Sequence, residues 1–234
     1  MSQAYQQLIL EEESREFVVV NTHRGLFRYK RLPFGVSSAP GIFQRVMEAI
    51  LRNIPGVVVY IDDIIVTAAT DEEHLAALEE VLRRLEEAGL RLRRNKCVFL
   101  ASSVEYLGHR IDAQGLHPTD GKVRAVQEAP SPENKTELKA YLGLLTYYAK
   151  FLPKLSTVMT PLYKLLRHDE PWQWTKKTEE SFNQSKKLLM SSQLLVHFDP
   201  TLEIRVACDA SAYGIGAVLS HCMPDGSEKP VGFM

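Results

Sequence analysis

The sequence is poor in cysteine, in long apolar runs and in excess charge of either sign, and each shortage removes a class of protein. Cys97, Cys208 and Cys222 are the three cysteines of 234 residues, an odd number without CxxC spacing. They exclude a disulfide framework and a zinc module, and read as reduced thiols of an intracellular protein. No apolar stretch reaches the roughly 18 residues that a membrane span requires. Met1-Ser2-Gln3-Ala4 lacks the charged and apolar regions of a signal peptide, so no membrane partner is expected. Lys plus Arg number 28 against 29 Asp plus Glu, a formal net charge of -1. Without a global positive charge, contact with nucleic acid has to come from local patches. No repeat or low-complexity tract is present. What remains is 45% apolar and 24% charged, the composition of an ordinary globular chain, long enough for one large domain or two to three small ones.

The patterning alternates short strands with helices. Residues 5–13 read as a short helix, and residues 17–21 and 26–29 as strands joined by the turn Arg24-Gly25. Pro40 sits in the first turn of a helix whose buried face carries Phe43, Val46, Met47 and Ile50. Pro55-Gly56 leads into a hairpin. Thr70 and Glu73 form a capping box before a helix with an apolar stripe of Leu75, Leu78, Leu82 and Leu85, stopped by Gly89. Residues 98–100 and 106–111 look like two further strands. The order predicts an α+β layer with helices on one face of an antiparallel sheet. Composition changes around residues 115–118, and Pro130-Ser131-Pro132 marks a break. A helix with Leu138, Tyr141, Leu142, Leu145 and Tyr148 inward follows, then a largely helical region punctuated by Pro153 and Pro161. Thr175 can cap a helix through Met190, ahead of strand-like runs at 195–198, 203–208 and 216–220.

Tyr60-Ile61-Asp62-Asp63, between Val57-Val58-Val59 and Ile64-Ile65-Val66, carries the strongest chemical signal. Adjacent carboxylates are costly to bury unless a partner or metal neutralises them. Two readings stay open: an exposed hairpin turn, or a turn that brings Mg²⁺ ligands to a cleft. The usual two-residue hairpin signal is Asn-Gly or Asp-Gly, not Asp-Asp, and magnesium takes one or two protein carboxylates as hard oxygen ligands. A second block, residues 32–40, puts Gly35 and small residues before a helix N-terminus, where a nucleotide can approach the backbone.

These blocks, in this order, resemble the polymerase region of a reverse transcriptase, specifically of gypsy-type long-terminal-repeat retrotransposons. The resemblance rests on Ser2-Gln3-Ala4-Tyr5, the 32–40 block and Tyr60–Asp63. It continues through Lys96-Cys97-Val98-Phe99, Tyr106-Leu107-Gly108-His109, Tyr141-Leu142-Gly143-Leu144 with Tyr147-Tyr148, and Ala207-Cys208-Asp209-Ala210-Ser211. It implies a palm with partial fingers over residues 1–110, a mainly helical thumb and connection over 111–170, and the start of a ribonuclease H-like α/β domain over 171–234. It also implies roles. Asp62 and Asp63 would ligate Mg²⁺, and Tyr5 would be the aromatic gate against a 2′-hydroxyl. Phe34 and Gly35 would line the nucleotide pocket, Leu107 and Gly108 would grip the primer end, and Lys96 would assist the leaving pyrophosphate. Arg91, Arg93, Arg94 and Lys96 could touch phosphates or be plain solvated surface. The tyrosine-bearing helix resembles the thumb, and Asp209 the first metal-binding aspartate of a ribonuclease H. The implied partners are an RNA or DNA template, a DNA primer and a deoxynucleoside triphosphate; oligomeric state is not implied.

The family places a catalytic aspartate two positions before the serine of the first motif, and here Met1 fills the intervening position. The remaining nuclease carboxylates should lie beyond Met234. The expectation is therefore negligible polymerase and nuclease activity for this chain alone, since a two-metal centre needs its bridging carboxylate. The alternative is a decayed or co-opted non-enzyme that binds nucleic acid or protein.

Overall fold

Phe43, Met47 and Leu51 recur every four residues along helix α1 (Ala39–Ile50) and its C-cap, and that spacing buries all three. Val57 and Val59 alternate inward along strand β3 (Val57–Tyr60), which pairs antiparallel with β4 (Asp63–Val66) from Val57↔Val66 to Tyr60↔Asp63. Helix α2 (Asp71–Glu87) adds buried Val81 and Leu85. These residues form one core, against which Val57, Val59, Ile61, Ile64 and Val66 pack. The hairpin is thus held from one side by two helices. The computed structural model describes residues 3–190, 194–211 and 214–234; Met1 and Ser2 of the first motif lie outside them.

The chain divides into two units, residues 1–99 and 100–234. The first also holds 3-10 helices at Ala4–Gln7, Glu13–Phe17 and Arg94–Lys96, and the hairpin of β1 (Val19–Thr22) with β2 (Gly25–Arg28). The second begins with a meander of β5 (Ser103–Tyr106), β6 (His109–Asp112) and β7 (Gly115–Pro118). Helices α3 (Asp120–Glu128), α4 (Lys135–Tyr147), α5 (Leu155–Leu165) and α6 (Lys176–Met190) follow. An antiparallel sheet of β8 (Glu203–Ser211), β9 (Gly214–Cys222) and β10 (Glu228–Phe233) closes the chain, with β9 central. The core of this unit carries all five residues predicted for the inward face of α4. Tyr141 hydrogen-bonds Ser185 at 2.7 Å there, and burial pushes its hydroxyl up to about 12.

The α+β class holds, but the strands form four separate antiparallel sheets in place of one layer. Several local expectations are corrected. Residues 5–13 are not one helix: two 3-10 helices flank Leu8–Leu10, which bonds Lys30–Leu32 through Leu10 N–H to Lys30 O and Leu32 N–H to Leu8 O. Leu75 and Leu82 are exposed and the buried line on α2 runs through Val81 and Leu85, because the helix turns a neighbouring stripe to the core. Residues 98–100 form no strand and Leu100 has φ +49. Residues 106–111 are not one strand: Tyr106 ends β5, Leu107-Gly108 is the turn, and 109–111 lie in β6. Residues 195–198 contribute one bridge, Leu195 to Leu116. Strand β7, helix α3 and strand β10 carry too little periodicity to be read in advance. The Thr70 cap is as predicted: its hydroxyl accepts from Glu73 N–H at 3.2 Å.

Candidate active site

The β3–β4 turn consists of Ile61 and Asp62, so Asp62 sits at the tip and Asp63 opens β4 opposite Tyr60. Both aspartates are exposed. Ile61 has φ +52, a left-handed conformation that is an outlier for a β-branched residue. Two contacts hold it there. Its side chain packs on the core of the first unit, and its N–H donates to Gln44 Oε1 at 2.5 Å. The same Gln44 amide donates through Nε2 to Val59 O at 3.0 Å and to Glu48 Oε1 at 2.7 Å. Gln44 thus clamps the hairpin at the turn and two residues before it. The residue was not singled out from the sequence; a polar side chain next to Phe43 on the inner side of α1 is the signal that could have found it.

Helix α1 also supports Tyr5. Phe43, the residue before Gln44, meets the Tyr5 ring edge-on at 5.6 Å, and Phe34 lies 5.4 Å from it. Consecutive residues of one helix therefore fix the half-buried tyrosine and the carboxylate turn. Phe34 is 60% exposed, leaving an aromatic face open beside Tyr5. Gly35 has φ +89, and a Cβ there would meet nothing within 4 Å, so the glycine is required by its backbone and not by crowding. Arg31 donates to the carbonyls of Gln6 at 3.2 Å and Gln7 at 2.9 Å, anchoring the 3-10 helix that bears Tyr5. The Gln7 amide pairs with the backbone of Arg91 in both directions, accepting from Arg91 N–H at 2.6 Å and donating to its carbonyl at 3.2 Å. Arg91, Arg93, Arg94 and Lys96 are all exposed, and this pairing sets where their run begins.

Magnesium fits the donor set at the turn: two neighbouring hard carboxylates at an exposed tip, with room for waters or phosphate to complete the shell. Among the described residues no group of three or more His, Cys, Asp or Glu gathers to hold a metal unaided.

The second unit holds the other predicted residues. Leu107 and Gly108 form the β5–β6 turn, with φ +46 and +69. The Tyr147 hydroxyl donates to Leu107 O, and the Tyr148 hydroxyl to Gly108 O at 2.9 Å. His109, 7% exposed, lies among Tyr147, Tyr148 and Phe151 with ring centroids at 5.2, 5.6 and 5.6 Å. Burial and nearby Lys150 hold the imidazole below its ordinary pKa against a hydrogen bond to the Leu107 backbone. Asp209 is exposed on β8 opposite Gly216 of β9.

Residues 1–111 match the family described as reverse transcriptase (RNA-dependent DNA polymerase), and residues 174–234 the RNase H-like domain found in reverse transcriptase. The chain belongs to the reverse transcriptase family. Its similarity within that family is to retrotransposon polyproteins, as the gypsy-type motifs imply. The Transposon Tf2-3 and Tf2-7 polyproteins of Schizosaccharomyces pombe are each 33% identical to it over 235 residues, covering 100% of this chain. The chain spans 18% of the length of these curated relatives. Among solved structures, the foamy viral protease-reverse transcriptase dRH in complex with double-stranded DNA matches with TM-score 0.88 and 27% identity, over 100% of this chain and 41% of that one. The foamy viral protease-reverse transcriptase in complex with an RNA/DNA hybrid matches with TM-score 0.85 and 27% identity, over 100% of this chain and 32% of that one. Among the described residues, no helix is long and apolar enough to cross a membrane.

Proposed function

We propose that this chain is the palm-centred part of an RNA-directed DNA polymerase that extends a DNA primer on an RNA or DNA template. In the reaction the primer 3′-oxygen bonds to the α-phosphorus of a deoxynucleoside triphosphate, and the bond to the β-phosphate oxygen breaks to release pyrophosphate. Asp62 and Asp63 would hold Mg²⁺, which when bound would acidify the attacking hydroxyl and offset charge on the phosphates. The chain's own contribution is placement. Gln44 and the core fix the turn, so the carboxylates keep their place without reorganising, which is where electrostatic catalysis gains most. Tyr5 packs under the incoming sugar and excludes a 2′-hydroxyl, while Phe34 and the open backbone at Gly35 border the nucleotide. Lys96 and the neighbouring arginines supply positive charge for pyrophosphate or template phosphates. Leu107 and Gly108 contact the primer end. Asp209 would ligate a metal in the ribonuclease H-like region.

The observation that carries this reading is the strained two-residue turn that presents Asp62 and Asp63 at an exposed tip. Strain of this kind, held by surrounding structure, is characteristic of sites where geometry matters for function. The test is primer extension by the complete polymerase region that contains this sequence, on RNA and DNA templates with Mg²⁺. Asp62→Asn is expected to lower the extension rate at least about a hundredfold with folding retained. Extension by that variant at the wild-type rate would remove the proposed role of the turn.

A further inference from the structure

The Leu107–Gly108 turn has both residues in the left-handed region, at φ +46 and +69. That is the pattern of a type I′ hairpin turn, whose twist suits antiparallel strands but which prefers Asn or Asp before glycine. Leucine in the first position is disfavoured by contact between its Cβ and the following carbonyl. Something outside the hairpin has to hold it, and the structure shows what does. Tyr147 and Tyr148, at the end of α4, each donate a hydroxyl to one of the two turn carbonyls, Leu107 O and Gly108 O. Both tyrosines also lie beside the turn: a Cβ on Gly108 would be in ordinary contact, at 3.5 Å, with Tyr147 Cε1 and with Tyr148 Oη. The Tyr148 hydroxyl also faces Thr119, the residue at the N-cap position of α3. The next residue, His109, is enclosed by Tyr147, Tyr148 and Phe151.

We infer that Tyr147 and Tyr148 are positioning residues: they lock the Leu107–Gly108 turn to the end of α4, so that helix and turn place the primer end as one piece. The inference rests on the reading that this turn contacts the primer. Two adjacent phenols on consecutive carbonyls exceed what packing requires, since phenylalanine would fill the same space. Each hydroxyl removes one degree of freedom from a turn that the local sequence does not favour.

The test has two arms. In the 234-residue chain, amide hydrogen exchange at Gly108, His109 and Arg110 is compared between wild type, Tyr147→Phe, Tyr148→Phe and the double variant. The double variant is expected to exchange about tenfold faster at these amides, the loss of two ordinary hydrogen bonds, while amides of α4 around Leu142 stay unchanged. Adding Leu107→Asn, which favours the left-handed conformation by itself, restores protection if the hydroxyls act on turn geometry. In the complete polymerase region, the double variant is expected to raise the KM for primer–template about tenfold and leave the KM for deoxynucleotide unchanged, a split that general destabilisation would not give. Wild-type exchange in the double variant would overturn the lock whatever reaction the chain serves. Faster exchange with an unaltered primer–template KM would overturn its role in placing the primer.

Discussion

In the β3–β4 hairpin a branched side chain, Ile61, occupies the left-handed position of the turn, and one amide, Gln44, grips both the turn N–H and the Val59 carbonyl. In the β5–β6 hairpin, Leu107 occupies the corresponding position, and two phenols grip the backbone on the carbonyl side. The first clamp comes from the middle of a helix that precedes its hairpin, the second from the end of a helix that follows. The difference reflects what each turn offers. Ile61 packs into the core of its unit and brings its own apolar anchor, so one hydrogen-bonding side chain completes the hold. The Leu107 turn is pinned chiefly through its backbone. In both, the strained turn is supported by a side chain far away in sequence, so neither hairpin is specified by its own residues alone.

The contrast predicts unequal costs when the clamps are removed. Gln44→Met keeps the length of the side chain and deletes its hydrogen bonds to Ile61 N–H and Val59 O. Each is worth about 0.5–1.5 kcal/mol, and a part-buried N–H left without an acceptor adds about 1–3 kcal/mol. We expect a stability loss of about 2 kcal/mol in urea unfolding, with the slope unchanged. Extension by the complete polymerase should fall about tenfold or more at temperatures where the variant stays folded. A variant that unfolds early but extends normally below its midpoint would show that Gln44 supports the fold and not the carboxylates.

Relief of strain should run the other way in the second hairpin. Leu107→Asn creates an Asn-Gly turn, the preferred pair for two left-handed residues. With Tyr147 and Tyr148 still in place, the chain should gain about 0.5–1 kcal/mol, the order of a favourable turn replacement. The same variant should weaken primer extension if the leucine side chain itself touches the primer. A destabilised Leu107→Asn chain would mean that leucine packing outweighs backbone strain there, and the two hairpins would then be alike.

How much of this was legible in the sequence follows from the range of the forces involved. The β3–β4 hairpin could be read because its strands are apolar on both sides of the polar pair Asp62-Asp63, a contrast visible within ten residues. The family motif puts Leu107 and Gly108 in a hairpin, but the strand pattern read over 106–111 runs through the turn because Leu-Gly lacks the Asn-Gly or Asp-Gly signal; Tyr147 and Tyr148, 40 residues on, hold it. Tyr148 was read as core and is buried, but its hydroxyl, not its ring, carries the specific contact. On α2 the helix was legible from its cap and its spacing, yet the leucine stripe competed with the neighbouring line through Val81 and Leu85, and tertiary packing chose between them. Tyr5 and Phe34 are found through family motifs and do meet in space, whereas Arg31 acts through backbone groups that no local pattern reveals, and Gln44 is marked only as a polar residue beside buried Phe43.

The smallest expected effect concerns His109, which sits between the two tyrosines and the rest of the helical core. Its imidazole is buried beside the Lys150 ammonium, and both circumstances disfavour the protonated form. The Tyr147 and Tyr148 side chains are the other titratable groups that face it. Because the folded-state pKa lies below the ordinary 6.5, the unfolded chain binds more protons at acidic pH. Stability therefore rises with pH up to about 6.5 and no longer depends on this residue above it. Protonation would also bring a second positive charge next to Lys150 and beneath the turn that the tyrosines hold, so the acid loss should begin in the β5–β6 turn. His109→Phe keeps an aromatic ring in the cage and cannot take up the proton. Its midpoint in urea should fall less steeply than wild type between pH 6.5 and 5, and its amides at 108–110 should lose their acid-dependent exchange. Parallel slopes for the two proteins over that interval would show that the buried ring is not what senses acid here.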